Sequence, residues 1–132
     1  AKLADILLVS GDALATDGFV FTAGDAGLGS IFTFGPDARE TEVAADVVEA
    51  IREDEGFEPS GYTLYSYAAV QAWAQAVEIV GSLDNTKITE VLHNQSFDTV
   101  LGKIGFNSKG DVTGIESFIW YEITPEGYVP VN

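Results

Sequence analysis

The order of apolar and polar positions along the chain alternates short strands with helices. Ile6-Leu7-Leu8-Val9 is an unbroken apolar run ending in Ser10-Gly11-Asp12, the form of a buried parallel strand entering a loop. Thr16 suits the N-cap of a short helix carrying Phe19, Val20 and Ala23, and Gly24 stops it. Residues 24–29 read as a loop, Ile31-Phe32-Thr33-Phe34 as a second strand, and Gly35-Pro36 breaks that strand. Thr41 opens an amphipathic helix with Val43, Ala44, Val47, Val48 and Ile51 on one stripe and acids on the other face. After a loop over residues 56–61, Tyr67, Val70, Ala74 and Val77 recur at helical spacing, with Ala69 and Trp73 beside them and Gly81 as the stop. Asp84 or Asn85 caps a third such helix, containing Ile88, Val91 and Leu92.

From Phe97 onward the period changes to two. Residues 99–106 read as a strand, 107–111 as a tight turn, and 117–123 as a strand rich in aromatics and isoleucine. A turn over Thr124-Pro125-Glu126-Gly127 then closes a terminal hairpin through Tyr128-Val129-Pro130-Val131. The whole reads as an α/β chain. Residues 36–95 nevertheless offer amphipathic helices without a strand among them, although such helices normally cover a sheet. Either the strands at the two ends supply that sheet, or it lies in chain outside this sequence.

Composition narrows the function classes. At 132 residues, 46% of them apolar, the chain is one ordinary domain able to bury a core. The absence of cysteine excludes disulfides, thiolate metal sites and cysteine nucleophiles, and a single histidine excludes a His-rich metal centre. Six Lys and Arg stand against 21 Asp and Glu, a formal charge of −15 that repels phosphate backbones and anionic lipid. Nucleic acid is therefore not an expected partner. The apolar run at Ile6–Val9 is far short of the ~20 residues of a membrane helix, and Ala1-Lys2-Leu3-Ala4-Asp5 has no long apolar region behind it to form a signal peptide. A processed or truncated chain would look the same.

Catalytic constellations are scarce. His93 falls near a helix end, where a protonated imidazole suits the helix dipole. There is no Gly-x-Ser-x-Gly elbow and no phosphate loop ending in Gly-Lys-Ser/Thr, and the glycines at 24, 27 and 29 precede a strand instead of opening a helix. Asp54 and Glu55 belong to a solvated acidic face. Asp12 differs, because it follows an apolar strand directly and sits ahead of a helix, at the carboxyl edge where α/β sheets place ligands. Gly11-Asp12 suits a plain turn equally well. Tyr62, Tyr65 and Tyr67 follow a glycine-containing loop; such tyrosines generally pack with the hydroxyl at a core edge, and one facing a cleft is ordinary for a small-ligand site. These residues point to a binding module and not to an enzyme, with no cofactor and no metal implied.

Three stretches are specific enough to carry a resemblance. Gly61-Tyr62-Thr63-Leu64-Tyr65-Ser66-Tyr67-Ala68-Ala69-Val70-Gln71-Ala72-Trp73-Ala74-Gln75-Ala76 is the first. Phe97-Asp98-Thr99-Val100-Leu101-Gly102-Lys103-Ile104-Gly105-Phe106 and Lys109-Gly110-Asp111-Val112-Thr113-Gly114 are the others. Together they closely resemble the C-terminal part of the branched-chain amino-acid-binding proteins, the type I solute-binding components of bacterial ABC transporters. Residues 7–16, residues 29–36 and the tail around Trp120-Tyr121 fit the same pattern in the same order.

The resemblance implies a type I periplasmic-binding-protein-like fragment, α/β, holding parts of both lobes of an incomplete three-layer α/β/α plan. Residues 1–34 would belong to the second lobe, 35–114 to a helical return into the first lobe, and 115–132 to a tail rejoining the second. Gly35, Pro36 and Gly114 would then be hinge positions, where glycine and proline suit a crossing. Asp12 matches the family's acidic position for the ligand α-ammonium, often Glu in other members, since a buried ammonium requires a charged, hydrogen-bonded partner. Tyr62 matches an aromatic at the cleft edge; Ala13 and Leu14 adjoin Asp12, and Tyr65 is expected in the core. The groups that hold the ligand α-carboxylate would lie upstream. The implied function is extracytoplasmic, periplasmic capture of a branched-chain or other small amino acid between two lobes, for delivery to the membrane permease of an ABC transporter. The same fold also serves binders of an aliphatic amide, urea or an aromatic acid, and sensor domains of receptors. Helices whose apolar stripes lack a sheet are further expected to be covered by the missing part of the protein or by self-association.

Overall fold

The computed structural model describes residues 6–116 and 118–131. The start of the strand expected over 117–123 lies outside the described residues at Ser117. In chain order the elements are β1 (Val9–Ser10), α1 (Asp17–Ala23), β2 (Ile31–Phe34), α2 (Ala45–Glu55), α3 (Gly61–Val80), α4 (Asn85–Asn94), β3 (Ser96–Thr99), β4 (Gly102–Phe106), β5 (Val112–Thr113), β6 (Ile119–Thr124) and β7 (Gly127–Pro130). Contacts divide them into two compact units. One takes residues 1–36 and 117–132, the other residues 37–116, so the chain passes between them at 36/37 and 116/117.

The first unit is built on a sheet of order β1-β2-β6-β7. β1 runs parallel to β2, with Val9 opposite Ile31 and Ser10 opposite Phe32, whereas β6 is antiparallel to both β2 and β7. Period-two alternation sends Phe32 and Phe34 of β2 and Tyr121 and Ile123 of β6 into one buried face. The Phe32 ring stacks on Tyr121 with centroids 5.5 Å apart, and Tyr128 stands edge-on to both at 5.4 and 5.2 Å. The hydroxyl of Tyr121 donates to the Gly35 carbonyl at 3.1 Å.

The strand expected to be buried at Ile6–Val9 is not. Its ladder is two residues long at the sheet edge, with β2 alone beside it, and Ile6 to Val9 are 49–67% exposed. Thr16 does precede α1, but its side chain makes no capping bond. Residues 24–27 tighten into a 3-10 turn instead of an open loop.

In the second unit Thr41 caps a 3-10 turn, Glu42–Ala44, accepting from the Ala44 amide at 3.3 Å, and α2 follows only from Ala45. α3 starts at Gly61, earlier than the apolar period suggests, because Ser60 and Thr63 form a reciprocal cap in which the Ser60 amide donates to the Thr63 hydroxyl at 3.1 Å. Its buried stripe is Gly61, Leu64, Ala68, Ala72 and Ala76, so the stripe expected through Tyr67 and Val70 is rotated away from the core. The three alanines let neighbouring elements approach the α3 backbone closely, a position that larger side chains on the other face could not take.

The expected strand over 99–106 is a hairpin. β3 and β4 pair antiparallel, joined at Val100-Leu101, where the Thr99 hydroxyl accepts from the Leu101 amide at 3.2 Å and donates to the Gly102 carbonyl at 2.8 Å. β5 adds on the far side of β4. The helices of residues 36–95 therefore have strands of their own within this chain. Ala72, Ala76, Ile88, Phe97 and Ile104 form one core cluster against them, and Ala38, Ala44, Val48, Leu64, Ala68 and Val100 form another between α2 and α3. Two glutamines of α3 also reach the outer edge of β3. Gln75 donates to the Asp98 carbonyl at 2.8 Å and accepts from the Asp98 amide at 3.3 Å, while Gln71 accepts from the Val100 amide at 2.8 Å.

Candidate functional site

Two separate groups of candidate residues result, one in each unit. In the first unit, β1 and β2 are parallel, so their carboxyl ends share one edge of the sheet. Asp12 leaves that edge two residues after Ser10, and Gly35 leaves it directly after Phe34. Asp12 opens the 3-10 turn Asp12–Leu14, its carbonyl accepting from the Ala15 amide at 2.9 Å. The turn and ligand readings are thus compatible: the backbone of Asp12 makes the turn while the residue stays exposed. Ala13 is exposed beside it, Leu14 is half-buried, and buried Ala15 anchors the turn.

Gly35 is buried, and its carbonyl is the one held by Tyr121. Pro36 ends the first unit and Asp37 starts the second. Asp37 caps the turn Ala38–Glu40: its carboxylate accepts from the Arg39 amide at 3.0 Å and from Arg39 Nε at 2.9 Å, and pairs with Arg39 Nη2. Burial pushes the Asp37 carboxyl upward, but the Arg39 hydrogen bonds and charge outweigh it and hold its pKa below the ordinary value.

In the second unit Tyr62 occupies the first turn of α3 and is 39% exposed. Tyr65, one turn on, is half-buried, and burial together with the Asp37 carboxylate raises its hydroxyl pKa. Tyr67 is exposed. Gly114 has φ +95°, and a Cβ there would lie 2.5 Å from the Lys103 carbonyl oxygen, so only glycine fits that approach to β4. It sits inside the second unit, which runs on to Glu116.

His93, at the end of α4, places Nδ1 2.8 Å from the Asn107 carbonyl and so pins the 107–111 turn to the helix. Among the described residues, no group of three His, Cys, Asp or Glu side chains could hold a metal ion, and no helix is long and apolar enough to cross a membrane. Sequence reasoning passed over the Tyr121 hydroxyl and the two glutamines. The aromatic alternation around Trp120-Tyr121 signals a strand, but a partner 86 residues away leaves no local mark.

No family model matches the chain. The Leu/Ile/Val-binding protein homolog 1 of Brucella abortus is 44% identical over 104 residues, covering 78% of this chain and 28% of that protein. An amino acid binding protein of Pseudomonas aeruginosa is 39% identical over 121 residues, covering 90% of this chain and 32% of that protein. The chain matches a segment of the branched-chain amino-acid-binding proteins and belongs with them. It spans about a third or less of the length of these curated relatives.

The architecture agrees with that family. A leucine-binding protein of Thermotoga maritima superposes with TM-score 0.77 at 25% identity, over 94% of this chain and 36% of its own. A substrate-binding protein of an ABC transporter from Desulfitobacterium hafniense, solved in complex with Leu, gives TM-score 0.69 at 21% identity over 96% of this chain and 36% of its own. The fold is thus a partial type I periplasmic-binding-protein fold of mixed α and β structure.

Proposed function

We propose that the chain is part of the extracytoplasmic solute-binding component of an ABC transporter, which captures a branched-chain or other small amino acid between two lobes and hands it to the membrane permease. The observation that carries this reading is the 44% identity over 104 residues to a protein named for binding leucine, isoleucine and valine. In this reading residues 1–34 and 115–132 belong to the second lobe, residues 35–114 to the first, and Gly35, Pro36 and Gly114 serve the crossings. The protein performs no chemistry on its ligand and acts in the periplasm. Asp12 takes the ligand α-ammonium, with Ala13 beside it, and Tyr62 packs on the ligand side chain.

The position of Asp12 supports its role: an exposed acid stands at the carboxyl end of two parallel strands, held in place by the turn it forms. Calorimetry on the full-length protein carrying this segment tests the proposal, with leucine, isoleucine, valine and a simple aliphatic amide as ligands. Asp12→Asn keeps size and turn propensity but removes the charge, so amino-acid affinity should fall about 30-fold to several thousand-fold while the fold survives. Unchanged amino-acid affinity in the variant would remove Asp12 from the site. Tight binding of the neutral amide alone would overturn the amino-acid reading.

A further inference from the structure

We propose that Tyr121 is the positioning residue of the first crossing, its hydroxyl holding the Gly35 peptide in one orientation and so limiting how the two units turn about Gly35-Pro36. The inference rests on the reading of Gly35-Pro36 as a hinge. Glycine leaves both of its own torsions loose, while the proline ring locks φ of Pro36 near about −65°. The last loose torsion before that ring is therefore rotation about the bond from the Gly35 Cα to its carbonyl carbon. That rotation swings the Gly35 carbonyl oxygen, the atom to which Tyr121 donates at 3.1 Å.

The bond is placed to persist. Tyr121 is 2% exposed and its ring is fixed between Phe32 and Tyr128, so the hydroxyl has little freedom to leave, and Gly35 is itself buried. Breaking the contact would give up a buried hydrogen bond. The strand carrying Tyr121 returns to this sheet after the chain has made the whole second unit, so one crossing is held by residues beyond the other.

The chain contains no cysteine, so two spin labels can be placed without removing native thiols. Thr22→Cys on α1 and Glu90→Cys on α4 put one label on an exposed position of each unit. Pulsed electron resonance then reads the distribution of distances between them. Tyr121→Phe keeps the ring and removes the hydroxyl, and should broaden that distribution as displaced orientations become about fivefold more populated. Tyr128→Phe, which removes a hydroxyl from the same ring cluster, should leave it unchanged. Pro36→Gly, which unlocks the crossing itself, should broaden it independently of Tyr121. Broadening by Pro36→Gly with none from Tyr121→Phe would overturn the role of Tyr121 and leave the hinge standing. No broadening from either would overturn the hinge and the inference with it, and equal broadening by Tyr128→Phe would assign the effect to the ring cluster instead.

Discussion

Asp37 combines a structural bond and a charge at the point where the chain enters its second unit. Its carboxylate accepts from the Arg39 amide and guanidinium, and these bonds, opposing the effect of burial, keep the folded pKa below the ordinary value. A depressed folded pKa means that the stabilisation is fully present above the unfolded value, about 3.9, and is lost as pH falls through the folded one. Thermal melts from pH 7 down to pH 2 should therefore show stability falling below about pH 4, with a shallower fall in Asp37→Asn. The same substitution should bring the Tyr65 hydroxyl back toward its ordinary titration, read by ultraviolet difference spectra, because the Asp37 charge is one of the two causes that raise it. Neither effect was legible in the sequence, since the Asp37–Arg39 pairing depends on a 3-10 turn that two polar residues at that spacing do not announce. Asp12 was legible by place, as an acid after an apolar run. Its proposed role was not, because an ammonium partner for it would come from outside the chain.

Helix α3 turns on small residues. Ala68, Ala72 and Ala76 are buried in line, against α2 at one end and against α4 and β3 at the other. Enlarging the middle one, Ala72→Leu, should cost about 1–3 kcal/mol of stability in urea unfolding, because a packed interface has no room for added methylenes. Asp84→Ala should cost about 0.5–2 kcal/mol, since Asp84 Oδ1 accepts from the Thr86 and Lys87 amides at 3.1 and 3.3 Å at the start of α4. The length of α3 was partly legible and its orientation was not. Apolar residues surround the helix on nearly every side, so periodicity does not choose between the Tyr67–Val70 face and the alanine face. The β3–β4 hairpin was hidden for a related reason: Val100 and Leu101 are apolar residues in a turn, and its local mark is the single Gly102, whose φ of +91° closes the turn beside the Thr99 hydroxyl.

At the scale of the whole molecule, Gly35-Pro36 marked a break in the sequence beside the first passage between units, whereas the change of period at Phe97 falls inside the second unit and marks no boundary. The partner of each apolar stripe was not legible, because that information is long-range. β2 lies between a strand parallel to it from the start of the chain and an antiparallel one from near its end. Its neighbours could not be read from its own residues. The bonds from Gln71 and Gln75 to β3 have a consequence at this scale. An open strand edge is a template onto which other chains can add, the first step toward fibrils. On β3 that template is partly occupied: the Gln75 amide takes both backbone groups of Asp98, and the Gln71 carbonyl takes the Val100 amide just beyond the strand. Replacing both glutamines by alanine should thus do more than lower the melting temperature. At temperatures where both proteins remain folded, the variant should convert to thioflavin-binding aggregates sooner than the parent, and equal lag times would show that the two glutamines do not guard this edge.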